Sequence, residues 1–147
     1  MSETVYILQN GKKLNAREFC RYFEKKVTKT AKAFKIMKTS KVFKNKILTV
    51  YCLDDAAIEV LNALMLDKKA KLKNSPYLYC LKKETEIYSK LKNINFKFTG
   101  YKGLKLKILN MLNDLEKKHR EIKYSVVNAF NQQVKQKLLV YPLFKIF

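Results

Sequence analysis

Between Ala16 and Met37 apolar residues recur at Phe19, Tyr22, Phe23, Val27, Ala31, Phe34 and Met37. Steps of three and four residues describe one face of an α-helix, and Asn15 stands where an N-cap side chain accepts an exposed backbone amide. A helix of this length carries an apolar stripe that another layer has to cover. Its solvent side holds Lys25, Lys26, Lys29, Lys32 and Lys35, and no carboxylate follows Glu24 within the segment. Like charges at helical spacing repel by a few tenths of a kcal/mol, roughly 0.2–0.5 per pair, so a bound polyanion would relieve the strain.

The remaining segments alternate between β-like and helical patterns. A short strand is expected at Val5 to Leu8, followed by a turn at Asn10-Gly11. The run Lys46-Ile47-Leu48-Thr49-Val50-Tyr51-Cys52 reads as a buried strand of a parallel sheet. It leads directly into Asp54-Asp55 and a helical stretch over Ala56 to Leu66, where an aspartate can cap the first turn. After a basic connection, Lys68 to Lys73, the segment Tyr77 to Leu81 reads as a second strand and Glu84 to Lys92 as a helix. Ile94 to Phe98 reads as a third strand. The turn Thr99-Gly100-Tyr101-Lys102-Gly103 opens a helix with Leu104, Ile108, Met111, Leu112 and Leu115 on its apolar side, and a last helix runs from Ile122 to Val134. The pattern predicts an α/β domain with a small parallel or mixed sheet of about three strands covered by helices. One domain is expected over 1–147, with an N-terminal arm at 1–12 and an apolar tail at 138–147 that packs on the body or on a partner.

Thirty-two basic residues against 12 acidic ones give a net charge of +20, and only Arg17, Arg21 and Arg120 among the basic residues are arginine. Such a surface attracts polyanions, and lysine's compact charge suits a phosphate better than the edge of a base. Backbone binding to RNA is expected, without sequence-specific reading of DNA. A lysine-rich, glycine-poor composition also arises from AT-rich coding, but that bias raises glutamate together with lysine, and here the acids are scarce. No apolar run reaches the roughly 20 residues that span a bilayer, and no leader pattern opens the chain, so a cytoplasmic protein without a membrane role is expected.

Catalytic and metal chemistry find little support in the residue pattern. Cys20, Cys52 and Cys80 are about 30 residues apart, without the pairing of a zinc site or a disulfide framework. His119, between Lys118 and Arg120, is better placed on a solvated helix face than in a catalytic role. Asp54 and Asp55 lie at a strand's carboxyl end, the edge where open α/β sheets bind ligands, yet helix capping accounts for them fully. No Gly-rich nucleotide loop of the Rossmann or Walker kind and no nucleophile elbow occurs.

Three stretches nevertheless resemble one family in order. Lys13-Leu14-Asn15-Ala16-Arg17-Glu18-Phe19-Cys20-Arg21-Tyr22-Phe23-Glu24-Lys25-Lys26-Val27-Thr28-Lys29-Thr30 is similar to the first helix of the PP-loop ATP pyrophosphatases that 2-thiolate tRNA, in their archaeal and eukaryotic cytoplasmic form. Glu84-Thr85-Glu86-Ile87-Tyr88 resembles that family's E-x-E-x-Y helix. Leu112-Asn113-Asp114-Leu115-Glu116-Lys117-Lys118, followed by Ile122-Lys123-Tyr124-Ser125, resembles its closing LNxLEKKxPGIKYS pattern.

The departures from the family pattern bear on function. The family's SGGxDS loop, which closes backbone amides on the pyrophosphate of ATP, corresponds here to Tyr51-Cys52-Leu53-Asp54-Asp55-Ala56. Both glycines and both serines are replaced, and only Asp55 matches. Side chains at those glycine positions occupy the space of the phosphates, and Asp54 adds a second negative charge. Asn15 and Glu18 stand at the places of two zinc-binding cysteines, Thr99 stands for the family's second catalytic cysteine, and the stretch from Leu66 to Pro76 is too short for the first one and for iron-sulfur ligands. The resemblance therefore implies a shortened, degenerate PP-loop domain with no ATP, zinc or other cofactor. Its implied role is non-catalytic RNA binding, tRNA above all, with a catalytic homologue or a second copy as protein partner, and the charge balance makes Lys25, Lys29, Lys32, Lys102, Lys105 and Lys107 the expected phosphate contacts. The alternatives are an active, ATP-using tRNA 2-thiolation enzyme and a basic structural protein of a ribonucleoprotein.

Overall fold

The computed structural model describes residues 3–34, 47–73 and 75–133. The expected continuation of the first helix to Met37, Lys46 at the head of the next strand, Val134 and the apolar tail 138–147 lie outside the described residues. The order is β1 (Thr4–Ile7), β2 (Lys13–Asn15), α1 (Ala16–Phe34), β3 (Ile47–Val50), α2 (Leu53–Met65), α3 (Lys82–Lys92), β4 (Asn95–Phe98), α4 (Leu104–Glu116) and α5 over residues 122–133.

The architecture is α/β, with helices covering a small sheet. β3 and β4 pair in parallel, from Ile47 opposite Asn95 to Val50 opposite Phe98, and a connection of the length that parallel pairing requires carries α2 and α3 between them. β1 and β2 form a separate antiparallel hairpin whose turn needs a left-handed residue, supplied by Gly11 at φ 88°. Neither sheet reaches three strands among the described residues.

The missing strand is the one expected at Tyr77 to Leu81. That segment is a run of tight turns, in which the Leu78 amide donates to the Ser75 carbonyl (3.1 Å) and the Cys80 amide to the Tyr77 carbonyl (3.0 Å). Its side chains divide with a step of three instead of two: Tyr77 and Cys80 enter one apolar cluster, Leu78 and Leu81 the other. A strand would alternate faces at every residue, so the same apolar content fits a turn that bridges two cores.

The first core lies under α1, where Phe19, Phe23, Val27 and Ala31 meet Leu14 of the hairpin, Val50, Cys52, Tyr77, Cys80 and Tyr88. Val5, Tyr6 and Leu8 pack against it, which seats the hairpin on α1. The Phe23 ring stacks on Tyr88 at 4.4 Å between centroids and on Tyr77 at 6.1 Å. The second core joins Leu53, Ala56, Ala57 and Ile58 of α2 to Ile108 and Leu112 of α4 and to Val127 of α5.

Three helices begin in the same way. The carboxylate at the third helical position folds back on the amide of the capping residue: Glu18 to Asn15 (3.2 Å), Asp55 to Cys52 (2.7 Å) and Glu84 to Leu81 (2.9 Å). At α1 the box is reciprocal, since Asn15 Oδ1 also accepts the Glu18 amide at 2.9 Å.

Truncating Phe23 to Ala removes a fully buried ring from the centre of the first core and is expected to cost about 3–5 kcal/mol. Leu64→Ala, at a side chain 73% exposed, should change stability by under about 0.5 kcal/mol. Urea unfolding of both variants, with circular dichroism as the probe, checks the contrast, and equal losses would contradict this placement of the core.

Candidate functional site

The stretch from Tyr51 to Ala56, at the junction of β3 and α2, is closed by its own chain. Cys52, Leu53, Asp54, Asp55 and Ala56 are all buried, and Tyr51 is half-buried at the end of β3. The Cys52 amide donates to Asp55 Oδ2, the Leu53 amide to the Cys80 carbonyl at 2.9 Å and the Ala56 amide to the Cys52 carbonyl at 3.1 Å. Of these, the Cys52 and Leu53 amides are groups that a phosphate at the start of a helix would draw on, and the Ala56 bond is the first of the helix itself.

The two adjacent carboxylates turn to different partners. Asp54 Oδ1 accepts the Lys82 amide at 2.9 Å, and Oδ2 accepts Lys123 Nζ at 2.7 Å. Lys123 is itself buried, donates to Asn113 Oδ1 at 2.8 Å and lies 3.4 Å from Glu116 Oε2. One ammonium thus ties the start of α2 to the end of α4 and to α5. Asp55 Oδ1 accepts the hydroxyl of Tyr101, delivered by the turn between β4 and α4. Burial raises the Asp55 carboxyl above the ordinary range, and the Tyr101 and Cys52 hydrogen bonds oppose that rise.

A second buried ionic centre lies under the hairpin. Glu84, fully buried, takes Lys26 Nζ at 3.2 Å, and Lys26 also donates to the hydroxyls of Tyr22 (3.2 Å) and Tyr124. Lys26 belongs by sequence with the exposed lysines of α1. Its position beside the apolar stripe turns it inward instead.

The lysines proposed as RNA contacts fall into two groups. Lys25, Lys29 and Lys32 are exposed on α1, on the side opposite the apolar stripe, and the exposed Arg17 and Arg21 continue the same row at steps of four. Lys102 and Lys107 are exposed at the start of α4, whereas Lys105 is partly covered and lies 3.8 Å from Glu59 Oε2. α1 belongs to the first core and α4 to the second, so the two groups are carried by different layers. The arginines were missed because lysine dominated the count, although the same helical steps that select Lys25 and Lys29 also select them.

Among the described residues no three His, Cys, Asp or Glu side chains are placed to hold a metal ion, and no helix is long and apolar enough to cross a membrane. His119 is exposed and its amide closes the turn after α4 on the Leu115 carbonyl at 2.8 Å. Cys52 and Cys80 are fully buried, and burial pushes the Cys80 thiol up to about 12 and the Cys52 thiol higher still.

No family model and no curated protein matches the chain. Among solved structures, the U34-tRNA thiolase NcsA from Methanococcus maripaludis, determined with its [4Fe-4S] cluster, is similar at a TM-score of 0.46 and 18% sequence identity. The similarity covers 83% of this chain and 45% of that one, so the chain spans less than half the length of the thiolase.

Removing the Lys123 ammonium strands the Asp54 carboxylate in the interior, and Lys123→Ala is expected to lose about 3–5 kcal/mol of stability. Lys117→Ala, which breaks an exposed pair with Asp114 at 3.6 Å, should cost under about 1 kcal/mol. Guanidinium unfolding of the two variants measures the difference. Thiol chemistry gives a separate check: at pH 8 an aromatic disulfide reagent should label the folded protein at Cys20 alone, the half-buried thiol, and reach Cys52 and Cys80 only after denaturation. Prompt reaction of all three in the folded state would show that these thiols are accessible.

Proposed function

We propose that this chain is a non-catalytic RNA-binding protein, a reduced domain of the PP-loop kind that holds RNA, tRNA foremost, by lysine-phosphate contacts. The observation that carries the reading is how the fold distributes its charges. Asp54, Asp55 and Glu84 are buried, and Glu24, Glu59, Glu86 and Glu116 are partly covered. Only Glu3, Glu18, Asp67, Asp114 and Glu121 are exposed among the described carboxylates, against 20 exposed lysines and arginines. The interior thus holds a large share of the negative charge and only a few of the lysines, which leaves an outer surface more lopsided than the composition alone.

The exposed row Arg17, Arg21, Lys25, Lys29 and Lys32 gives a phosphate backbone a track along α1, and Lys102 in the turn before α4 and Lys107 in its first turns give a second contact region. The filled loop supports the non-catalytic part of the reading. The Cys52 and Leu53 amides are committed within the fold, and two carboxylates occupy the start of α2, where the phosphates of a nucleotide would need neutral or positive surroundings. A catalytic homologue or a second copy remains the proposed protein partner, and the cytoplasm the proposed location.

Counterion release sets the test. With six or more phosphate contacts, affinity for tRNA should fall by about 10³–10⁵ between 50 and 200 mM salt, and Lys25→Ala/Lys29→Ala should flatten the slope of log K against log salt by roughly two. A flat salt dependence, or no binding at low salt, rejects the RNA reading. Pyrophosphate release from ATP above background, in the presence of tRNA and magnesium and abolished by Asp55→Asn, rejects the non-catalytic part.

A further inference from the structure

A cleft of about 300 Å³ opens between the hairpin, α1 and the start of α5, lined by Tyr6, Tyr22, Tyr124, Leu81, Arg120 and the turn over residues 7–10. Its size is at the lower end of ligand-sized clefts, and its walls are aromatic and charged together. The Tyr6 and Tyr22 rings lie nearly parallel, 23° apart with centroids 6.2 Å from each other. Arg120, an exposed side chain and one of three arginines in the chain, is anchored across the mouth by a hydrogen bond from Nη1 to the Leu8 carbonyl at 3.3 Å. Gln9, exposed on the turn, brings an amide donor and acceptor to the same opening. Beneath the tyrosines the Glu84 carboxylate pairs with the Lys26 ammonium at 3.2 Å. Burial, with Glu84 close by, raises the Tyr6, Tyr22 and Tyr124 hydroxyls above their ordinary range.

We infer that this cleft receives one unstacked base of a single-stranded RNA, held between the Tyr6 ring and the Arg120 guanidinium plane. Aromatic faces and guanidinium planes are the usual stacking partners of splayed-out bases, whereas a purely electrostatic surface has no need of a tyrosine-lined recess. The cleft also adjoins the proposed track, because Tyr22 lies on α1 at the border of the row formed by Lys25 and Lys29. The inference rests on the RNA-binding reading and adds to it a base-dependent contact, tolerant of base identity.

The test compares a short, labelled single-stranded RNA with an abasic strand of equal length and charge, using the full chain and the variants Arg120→Ala and Tyr6→Leu. Wild-type protein should bind the base-bearing strand about tenfold more tightly, and each variant should shrink that gap, with the salt slope unchanged in Tyr6→Leu. An equal gap in wild type and in the exposed-site variant Arg120→Ala, or no gap in wild type, overturns the cleft and leaves the phosphate track standing. If neither strand binds, the RNA reading fails by itself, and uridine monophosphate decides the cleft separately. Shifts of the Tyr6 and Tyr22 ring resonances on adding it, lost in Arg120→Ala, support a base site, and their absence overturns it.

Discussion

The fold is organised around carboxylates taken out of water at the starts of α2 and α3. A buried carboxylate is costly unless hydrogen bonds or a counter-charge compensate it; Asp54 and Glu84 have both, and Asp55 is held by hydrogen bonds. Asp55 caps α2 and receives Tyr101 from the turn before α4. Asp54 takes the first amide of α3 and the ammonium of Lys123 from α5. Glu84 caps α3 and takes Lys26 from α1. Each acid therefore links its own helix start to an element distant in sequence, and together they join the two apolar clusters across the bridging turn at Tyr77 to Leu81.

This arrangement explains how a chain of +20 folds and why its surface looks as it does. The few acids that could have relieved lysine repulsion outside are used inside, where a single ammonium serves several acceptors. Lys26 and Lys123 are taken inward with them, and the ion pairs of the other described lysines are exposed or partly exposed, such as Lys117 with Asp114 at 3.6 Å. Internal cohesion and external attraction for polyanions thus follow from one division of charge. The same division closes the helix start of α2 to phosphate, because the capping carboxylate occupies the positive end of the helix.

The helices were legible in the sequence because a 3.6-residue repeat survives in any environment that covers one face. α1, with Asn15 as its cap, and α4, opened by the turn at Gly103, follow the apolar spacing closely. The parallel pairing of β3 with the Ile94 to Phe98 segment was legible in type, since short apolar runs separated by helices favour parallel pairing. Tyr77 to Leu81 was not, because a short apolar run has no periodicity long enough to separate a strand from a turn, and only the presence of two cores to fill made a step of three favourable.

The sequence by itself determined the charge imbalance, the absence of glycine between Val50 and Ala56, and the stripe that places Lys25, Lys29 and Lys32 together, because each is a property of composition or of local spacing. Only the tertiary structure decided which lysines stay outside and which go in. Lys25 and Lys26 are neighbours of identical chemistry, yet one is exposed and the other bonds Glu84, 58 residues further along the chain. The pairing of Lys123 with Asp54 and the convergence of Tyr6, Tyr22, Tyr124 and Arg120 on one cleft arise in the same way. Contacts between residues far apart in the chain depend on how the layers dock, and no local pattern of residues encodes that geometry.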